Sequence, residues 1–323
     1  YQNWENGRHE IEKIITVRRI VMNNKQLTVT PNPHIKDSTS VDEIMWTVVY
    51  ALIPAVLAAT YFFGFRALLV VAVSILGAVL TEYVFLKIRK KEMVINDGSA
   101  VLTGLLLALT LPPSIPLWTA FLGSVVAIGL GKQVFGGLGY NVFNPALIGR
   151  AFLTASYPVL MTTWTVDGVS TATPLSQIAG GEAIRIWNLF IGNSGGSLGE
   201  TSALALLLGA AYLIYRGFIN WRIPAGMIST VIIVTFLAGA NPVVHLFAGS
   251  LILGAFYMAT DMVTSPVTKR ARWVFGIGAG LLVAIIRLWG GYPEGVMYSI
   301  LFMNTTVPLL DRYLKPRTLG VVK

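Results

Sequence analysis

The sequence predicts an all-α, polytopic membrane protein of about ten transmembrane helices, arranged as an inverted repeat with broken half-helices. Three observations carry that prediction. Hydrophobic residues make up 54% of the chain and charged residues 12%, with a mean hydropathy of +0.68, which is a composition of spans and loops rather than of a large soluble domain. The apolar residues gather into about ten segments separated by polar turns. Finally, the segments on either side of a long polar stretch, Pro158 to Glu200, echo one another.

In chain order, residues 1–44 read as a polar cytoplasmic tail. Tyr1 to Val21 carries scattered charge, and Met22, followed by NNKQLTVTPNPHI, makes a sensible start. Residues 1–21 are therefore expected to be an extension without a fold of their own, or disordered, the alternative being a cytoplasmic helix. A first five-helix repeat is expected over 45–157, from apolar segments near 45–63, 66–86, 98–112, 117–134 and 143–157. The stretch 158–200 forms a loop. A second five-helix repeat, 201–311, comprises segments near 201–216, 223–239, 244–260, 273–289 and 296–311, and 312–323 is a cytoplasmic tail. Several segments are shorter than the ~20 residues a helix needs to cross the hydrocarbon. They carry helix breakers in LTLPPS at 109–114, NVFNPALIG at 141–149 and DMVTSPVT at 261–268. Irregular backbone facing lipid would leave amides unpaired, so such breaks line a site or a cavity.

The repeat is carried by GSAVLTGLLLALTLP at 98–112, which resembles TSALALLLGAAYLIY at 201–215, and by FLGS at 121–124, which returns as FAGS at 247–250. The competing explanation is that small residues recur in any packed helix bundle. Orientation follows from charge. In an N-in, C-in arrangement 20 of the 24 Lys and Arg residues fall on the cytoplasmic side, including Lys87 to Lys91, Lys132, Arg216, Arg222 and Lys269 to Arg272. Arg66, Arg150, Arg185 and Arg287 fall elsewhere, and loop 158–200 lies outside the cell. The same asymmetry accounts for the net charge of +9, so no nucleic-acid partner is expected.

Function is first bounded by what the chain lacks. It has no cysteine, and its only histidines are His9, His34 and His245. A thiolate-ligated iron–sulfur cluster or a His-rich metal site is excluded within this chain, so a redox carrier would have to be organic. Two charges fall inside predicted spans. Arg150 follows the Asn144–Pro145 break, where a bare charge costs about 2.5–3.5 kcal/mol on insertion scales; it either neutralises a ligand in a cavity or pairs for packing. Glu82 lies about one turn inside the basic KIRKK run and either admits a cation from the cytoplasm or pairs with Lys87 or another nearby base. Asp97 is expected to cap a half-helix, and Asp261 either caps or contacts an ion. GNSGGSLGETS, at 192–202, reads equally as an anion-binding helix start or as a capping segment. Trp46, Trp118, Trp221, Trp273 and Trp289 form an interfacial belt. Trp164 and Trp187 could stack on a ring system, but covering the loop against the membrane is the simpler role.

The outer loop holds VDGVSTATPLSQI, Val166 to Ile178. Such a Ser/Thr-rich run is a turn, a helix cap at Ser170 or Thr171, or a surface patch. A threonine hydroxyl can also tether a phosphate-bearing cofactor as a phosphoester. Asp167, Ser170, Ala172 and Thr173 fit the flavinylation pattern in which an Asp precedes a Ser/Thr–Gly–Ala–Thr run. The chain around it resembles the D subunit of the Rnf complex and, more distantly, the B subunit of the sodium-pumping NADH:quinone oxidoreductase. The resemblance spans roughly 22–315 through NDGSAVLTGLLLALTLPPSIPLW, GKQVFGGLGYNVFNPALIGRAFL, GNSGGSLGETSALALLLG and DMVTSPVT. Thr171 stands where the pattern has Gly and adds a hydroxyl beside Thr173.

The resemblance implies a prokaryotic inner-membrane subunit of a complex moving electrons between ferredoxin and NAD, coupled to sodium or proton translocation. It implies FMN held on Thr173 through its phosphate, installed by a flavin transferase, and a noncovalent flavin such as riboflavin near the broken segments. Implied partners are other membrane subunits, a second flavin-bearing subunit, and iron–sulfur and NADH-binding subunits. Two rivals stand beside it: an inverted-repeat solute channel or transporter without a redox cofactor, and a non-redox scaffold subunit.

Overall fold

The computed structural model describes residues 39–91, 95–166, 169–171, 186–192, 195–290 and 295–315. Expectations that fall on other residues, including the extension at 1–21, lie outside the described residues. The elements that follow belong to the compact unit Val41–Lys323.

Among the described residues the regular structure is helical apart from one pair of short strands. Helices α1 (Val41–Phe63) and α2 (Phe65–Ile88) come first, followed by the short α3 (Ser99–Leu109). Helix α4 (Leu117–Ile128) runs without interruption into a π turn, Gly129–Gln133, and α5 (Pro145–Ser156) and α6 (Pro158–Thr162) close this half. Strands β1 (Trp164–Val166) and β2 (Val169–Thr171) pair antiparallel with Thr165 opposite Ser170. This strand pair is the one local exception to the all-α expectation among the described residues. Then come α7 (Ile186–Ile191), a 3-10 turn (Leu198–Glu200), α8 (Ala203–Tyr215), α9 (Arg222–Leu237) and α10 (Pro242–Phe247). The one-turn α11 (Leu251–Leu253) leads into a second π turn, Gly254–Met258, before α12 (Lys269–Trp289) and α13 (Val296–Tyr313).

Among the described residues three helices, α1, α2 and α12, are long and apolar enough to cross a membrane, while α3, α8 and α9 are shorter apolar helices. Capping side chains set where several of the helices begin. Asn144 accepts a hydrogen bond from the Leu147 amide with Pro145 in the first turn, and Asn241 accepts from the Val243 amide ahead of Pro242. Ser202 and Thr268 cap α8 and α12 in the same way. In each case a side-chain oxygen satisfies an amide that the first turn leaves without a partner.

Where half-helices end, carbonyls without a helical partner need donors, and two arginines supply them. Arg66, from α2, donates to the carbonyls of Pro113, Ser114 and Ile115 after α3. Arg287, from α12, donates to the carbonyls of His245, in the last turn of α10, and Ala248, just after it. A cation at a helix C-terminus also complements the helix dipole.

The FLGS–FAGS echo has unequal conformations. Gly123 lies inside α4, whereas Gly249 has φ of 71° and breaks the chain between α10 and α11. Both stretches nonetheless lead into π turns. One core joins the halves, with Leu52, Leu107, Leu147, Leu253 and Phe275 buried within it. Close helix approach is required at Gly209 on α8, where an added Cβ would collide with the Ala51 carbonyl oxygen on α1.

Candidate functional site

The breaks at 141–149 and 261–268 meet through α13. Asn304 on α13 holds them together: its Oδ1 accepts from the Asn144 amide and its Nδ2 donates to the Thr264 carbonyl. Asn144 Nδ2 donates in turn to the Met258 carbonyl, at the end of the second π turn. Beside this junction lies a cavity of about 70 Å³, lined by Asn141, Asn144, Thr103 and Lys132 from one half and by Thr260 and Asp261 from the other. Asn141 Oδ1 is buried there without a hydrogen-bond partner among the described residues. Asp261 accepts from Thr264 Oγ1 at 2.9 Å and from the Val263 amide, so it forms an Asx turn that shapes the second break. The breaks at 141–149 and 261–268 thus help to wall the cavity, whereas the break at 109–114 lines neither this space nor the wider cleft beside it.

A second, wider cleft of about 840 Å³ opens beside the first. Glu82, Asp97, Gln133, Asp42, Lys91 and the glycine-rich turn 136–139 line it. Arg89 donates to the Gln133 carbonyl and Lys91 to the Gly136 carbonyl, so the basic run after α2 ties down that turn.

Between the two spaces sits a buried polar cluster. Lys132 Nζ lies 2.6 Å from Glu82 Oε1 and donates also to Ser99 Oγ at 2.6 Å. Ser99 in turn donates to Asp97 at 2.8 Å, while the Ser99 amide donates to Asp97 Oδ1. Gln133 Nε2 donates to Glu82 Oε1 at 3.0 Å. Relative exposures are 3% for Glu82, 1% for Lys132 and Gln133, 4% for Ser99 and 5% for Asp97. At such depth an uncompensated charge is costly, so the cluster is held by its mutual pairing.

Local sequence explains how the cluster is assembled. Gly98, with φ of 75°, allows Asp97 to fold back over the start of α3. Gly104 lets α3 approach α2 so closely that an added Cβ would be 2.7 Å from the Ser74 carbonyl oxygen. The π turn at the end of α4 places Lys132 and its neighbour Gln133 together beside Glu82.

Several expectations change against this geometry. Glu82 pairs with a base, but with Lys132, 50 positions away in the chain, and not with Lys87, whose ammonium sits over the Tyr83 ring. Lys132, counted among the cytoplasmic-side charges, is buried on the π turn that ends α4. A Lys in the apolar, glycine-rich run IGLGKQVF is the signal that could have revealed it, on the same grounds as Arg150. Asp97 does cap its half-helix, and it also joins the cluster through Ser99. Arg150 is buried on α5 and lines neither the cavity nor the cleft. In GNSGGSLGETS the start of α8 is capped by Ser202, and Thr201 Oγ1 donates to the Leu198 carbonyl, which favours capping for that segment. Trp118, Trp221 and Trp289 are exposed, as a belt requires, and Trp187 stacks on Phe190.

Of the proposed attachment residues, Ser170 and Thr171 lie on β2, described by backbone pairing alone. Asp167, Ala172 and Thr173 lie outside the described residues.

Comparison with known proteins bears on the whole chain. The profile of the NQR2, RnfD, RnfE family matches residues 28–320. The chain is 49% identical over 311 residues to the D subunit of the Na(+)-translocating ferredoxin:NAD(+) oxidoreductase complex of Acetobacterium woodii, covering 94% of this chain and 98% of that protein. It is 47% identical over 317 residues to the D subunit of the proton-translocating ferredoxin:NAD(+) oxidoreductase complex of Clostridium ljungdahlii, covering 91% and 96%. A third relative, the D subunit of the ion-translocating oxidoreductase complex of Stutzerimonas stutzeri, is 41% identical over 87% of this chain and 93% of its own length.

Proposed function

The chain belongs to the NQR2, RnfD, RnfE family, and from that premise we propose that it is the membrane-embedded D subunit of an Rnf-type complex. In this reading the complex transfers electrons between ferredoxin and NAD and couples the transfer to movement of Na+ or H+. The observation that carries the reading is near full-length identity of 47–49% to relatives with that named role. Those two relatives are named for different ions, so overall similarity leaves the choice between sodium and proton to individual residues. The subunit does not catalyse alone: with no cysteine in the chain, thiolate-ligated clusters belong to other subunits, as does NADH binding.

We assign covalent FMN to Thr173, on the strength of the Asp167 and Ser170–Thr173 pattern, with a flavin transferase as installing partner. The flavin would supply one- or two-electron transfer on the outer side, in an inner-membrane protein with both ends in the cytoplasm. The common placement of basic residues supports that orientation. Arg216 pairs with Glu43 at the start of α1, and Arg89 and Lys91 hold the turn after α4, so these four helix ends share one side. A second, noncovalent flavin such as riboflavin suits the cavity of the broken segments in its donor set, since the bare Asn141 Oδ1 can accept from an imide N–H. A space of about 70 Å³ holds only a few water molecules, so the ring system requires the breaks to part. Glu82, lining the cleft, is the residue we assign to the ion path.

In-gel flavin fluorescence of the denatured protein, expressed with a flavin transferase, tests the covalent assignment. A band lost with Thr173→Ala and kept with Thr171→Ala is the expected result. A colourless wild type would favour the transporter or scaffold readings, and flavin released on denaturing the Thr173→Ala complex would report the noncovalent site.

A further inference from the structure

The buried cluster is one cation short. It holds two carboxyl groups on one amine, Glu82 bonded directly to Lys132 and Asp97 reached only through Ser99 Oγ, and two of its oxygens have no hydrogen-bond partner among the described residues: Glu82 Oε2 and Gln133 Oε1. Both side chains are more than nine-tenths buried. The Gln133 amide orientation is fixed by its bond to Glu82, because the flipped amide would set its oxygen against a carboxylate oxygen. Two hard oxygen acceptors are thus left bare on residues that line the open cleft, and such oxygens suit a cation of the alkali or alkaline-earth kind.

The position of Lys132 supplies the second half of the argument. Glu82, Asp97 and Gln133 line the cleft, whereas Lys132 and Ser99 line the inner cavity, and Met45, Leu138, Met262 and Val263 border both. The ammonium is therefore held between the two spaces, bonded to a carboxylate on the cleft side and to a hydroxyl on the cavity side. It is a compact cation on a flexible four-carbon stem. Moving toward the cavity would release Glu82 Oε1 while keeping the bond to Ser99.

We propose that Glu82 and Gln133 form a binding site for a hydrated monovalent metal cation, and that the Lys132 ammonium is its tethered, displaceable occupant. With Lys132 against Glu82 the site is closed. An anionic occupant of the inner cavity draws Lys132 inward, and a cation from the cleft then completes the charge on Glu82. This inference rests on the reading of Glu82 as part of the ion path and adds the device that opens it.

The test is infrared difference spectroscopy of the purified complex, Na+ against choline at constant pH. Wild type should give Na+-induced carboxylate bands that are absent from Glu82→Gln. In Lys132→Met the same bands should half-saturate at a Na+ concentration at least tenfold lower, while Lys132→Arg, which keeps the charge, should stay near wild type. If Lys132→Met does not assemble, Lys132→Gln removes the charge with the same expectation. Glu82-dependent bands whose half-saturation is the same with and without the Lys132 charge would overturn the tethered-cation role and leave the ion-path reading standing. No Glu82-dependent band in any variant, or a protonated carboxyl band in Lys132→Met that ignores Na+, would overturn the cation site itself. Loss of the flavin on Thr173 leaves these spectra unchanged, so failure of the flavin assignment is read separately.

Discussion

Two ion pairs in this molecule have nearly the same length and opposite surroundings. Lys132 and Glu82 are 2.6 Å apart with side chains 2% and 4% exposed, while Arg216 and Glu43 are 2.7 Å apart with side chains 39% and 47% exposed. The exposed pair joins the end of α8 to the start of α1 and is screened by water and salt. The buried pair has no such solvent, and its partners are committed to Ser99, Asp97 and Gln133 as well. Distance alone thus says little about what a charge pair does. Burial makes one of them a site and leaves the other a surface contact.

Removing one partner of each pair breaks the comparison most directly. Lys132→Met leaves Glu82 buried without its cation and should lower stability by about 3–5 kcal/mol, seen as a large drop in the thermal unfolding midpoint of the detergent-purified complex. Added Na+ should restore more of that midpoint than it does in wild type, because the vacated position can then be filled. Replacing both partners, Glu82→Met with Lys132→Met, should recover roughly 1–4 kcal/mol of the loss, since apolar residues of similar volume often substitute for a buried pair; no recovery would mean that the destabilisation comes from packing instead of charge. Asn304→Ala sharpens the comparison with a neutral bridge. It removes the bonds to Asn144 and Thr264 and should cost about 1–3 kcal/mol, with little dependence on salt. The smallest effect is expected for Glu43→Ala, about 0.2–1 kcal/mol and vanishing as ionic strength rises. A larger, salt-resistant loss there would remove the distinction drawn between the two pairs.

The helices are legible because their signals are local. Asn144–Pro145 is read as a break, and the structure shows that it is one because Asn144 caps a new helix with Pro145 in its first turn. Long apolar runs mark α1, α2 and α12, and the breakers at 141–149 and 261–268 mark the walls of the inner cavity. The strand pair at 164–166 and 169–171 is not legible, because a three-residue strand has too little periodicity to read. The end of α4 is hidden for a related reason. Nothing in GKQ distinguishes a π turn from ordinary helix, so sequence reasoning counts Lys132 only among the cytoplasmic-side charges at the end of segment 117–134.

By itself, then, the sequence determined the class of molecule, the positions of its breaks, the exclusion of thiolate chemistry, and the presence of a costly acid at Glu82. Composition, capping and apolar length act within a few residues of where they are written, and so they survive reading in one dimension. Only the tertiary structure decided which base Glu82 meets, and that Asn304 clasps the two breaks. Those choices depend on the close approach of α2 and α3 at Gly104 and on the register of the π turn. Packing of this kind relates residues 40 to 160 positions apart, at which distance no local pattern can specify a partner.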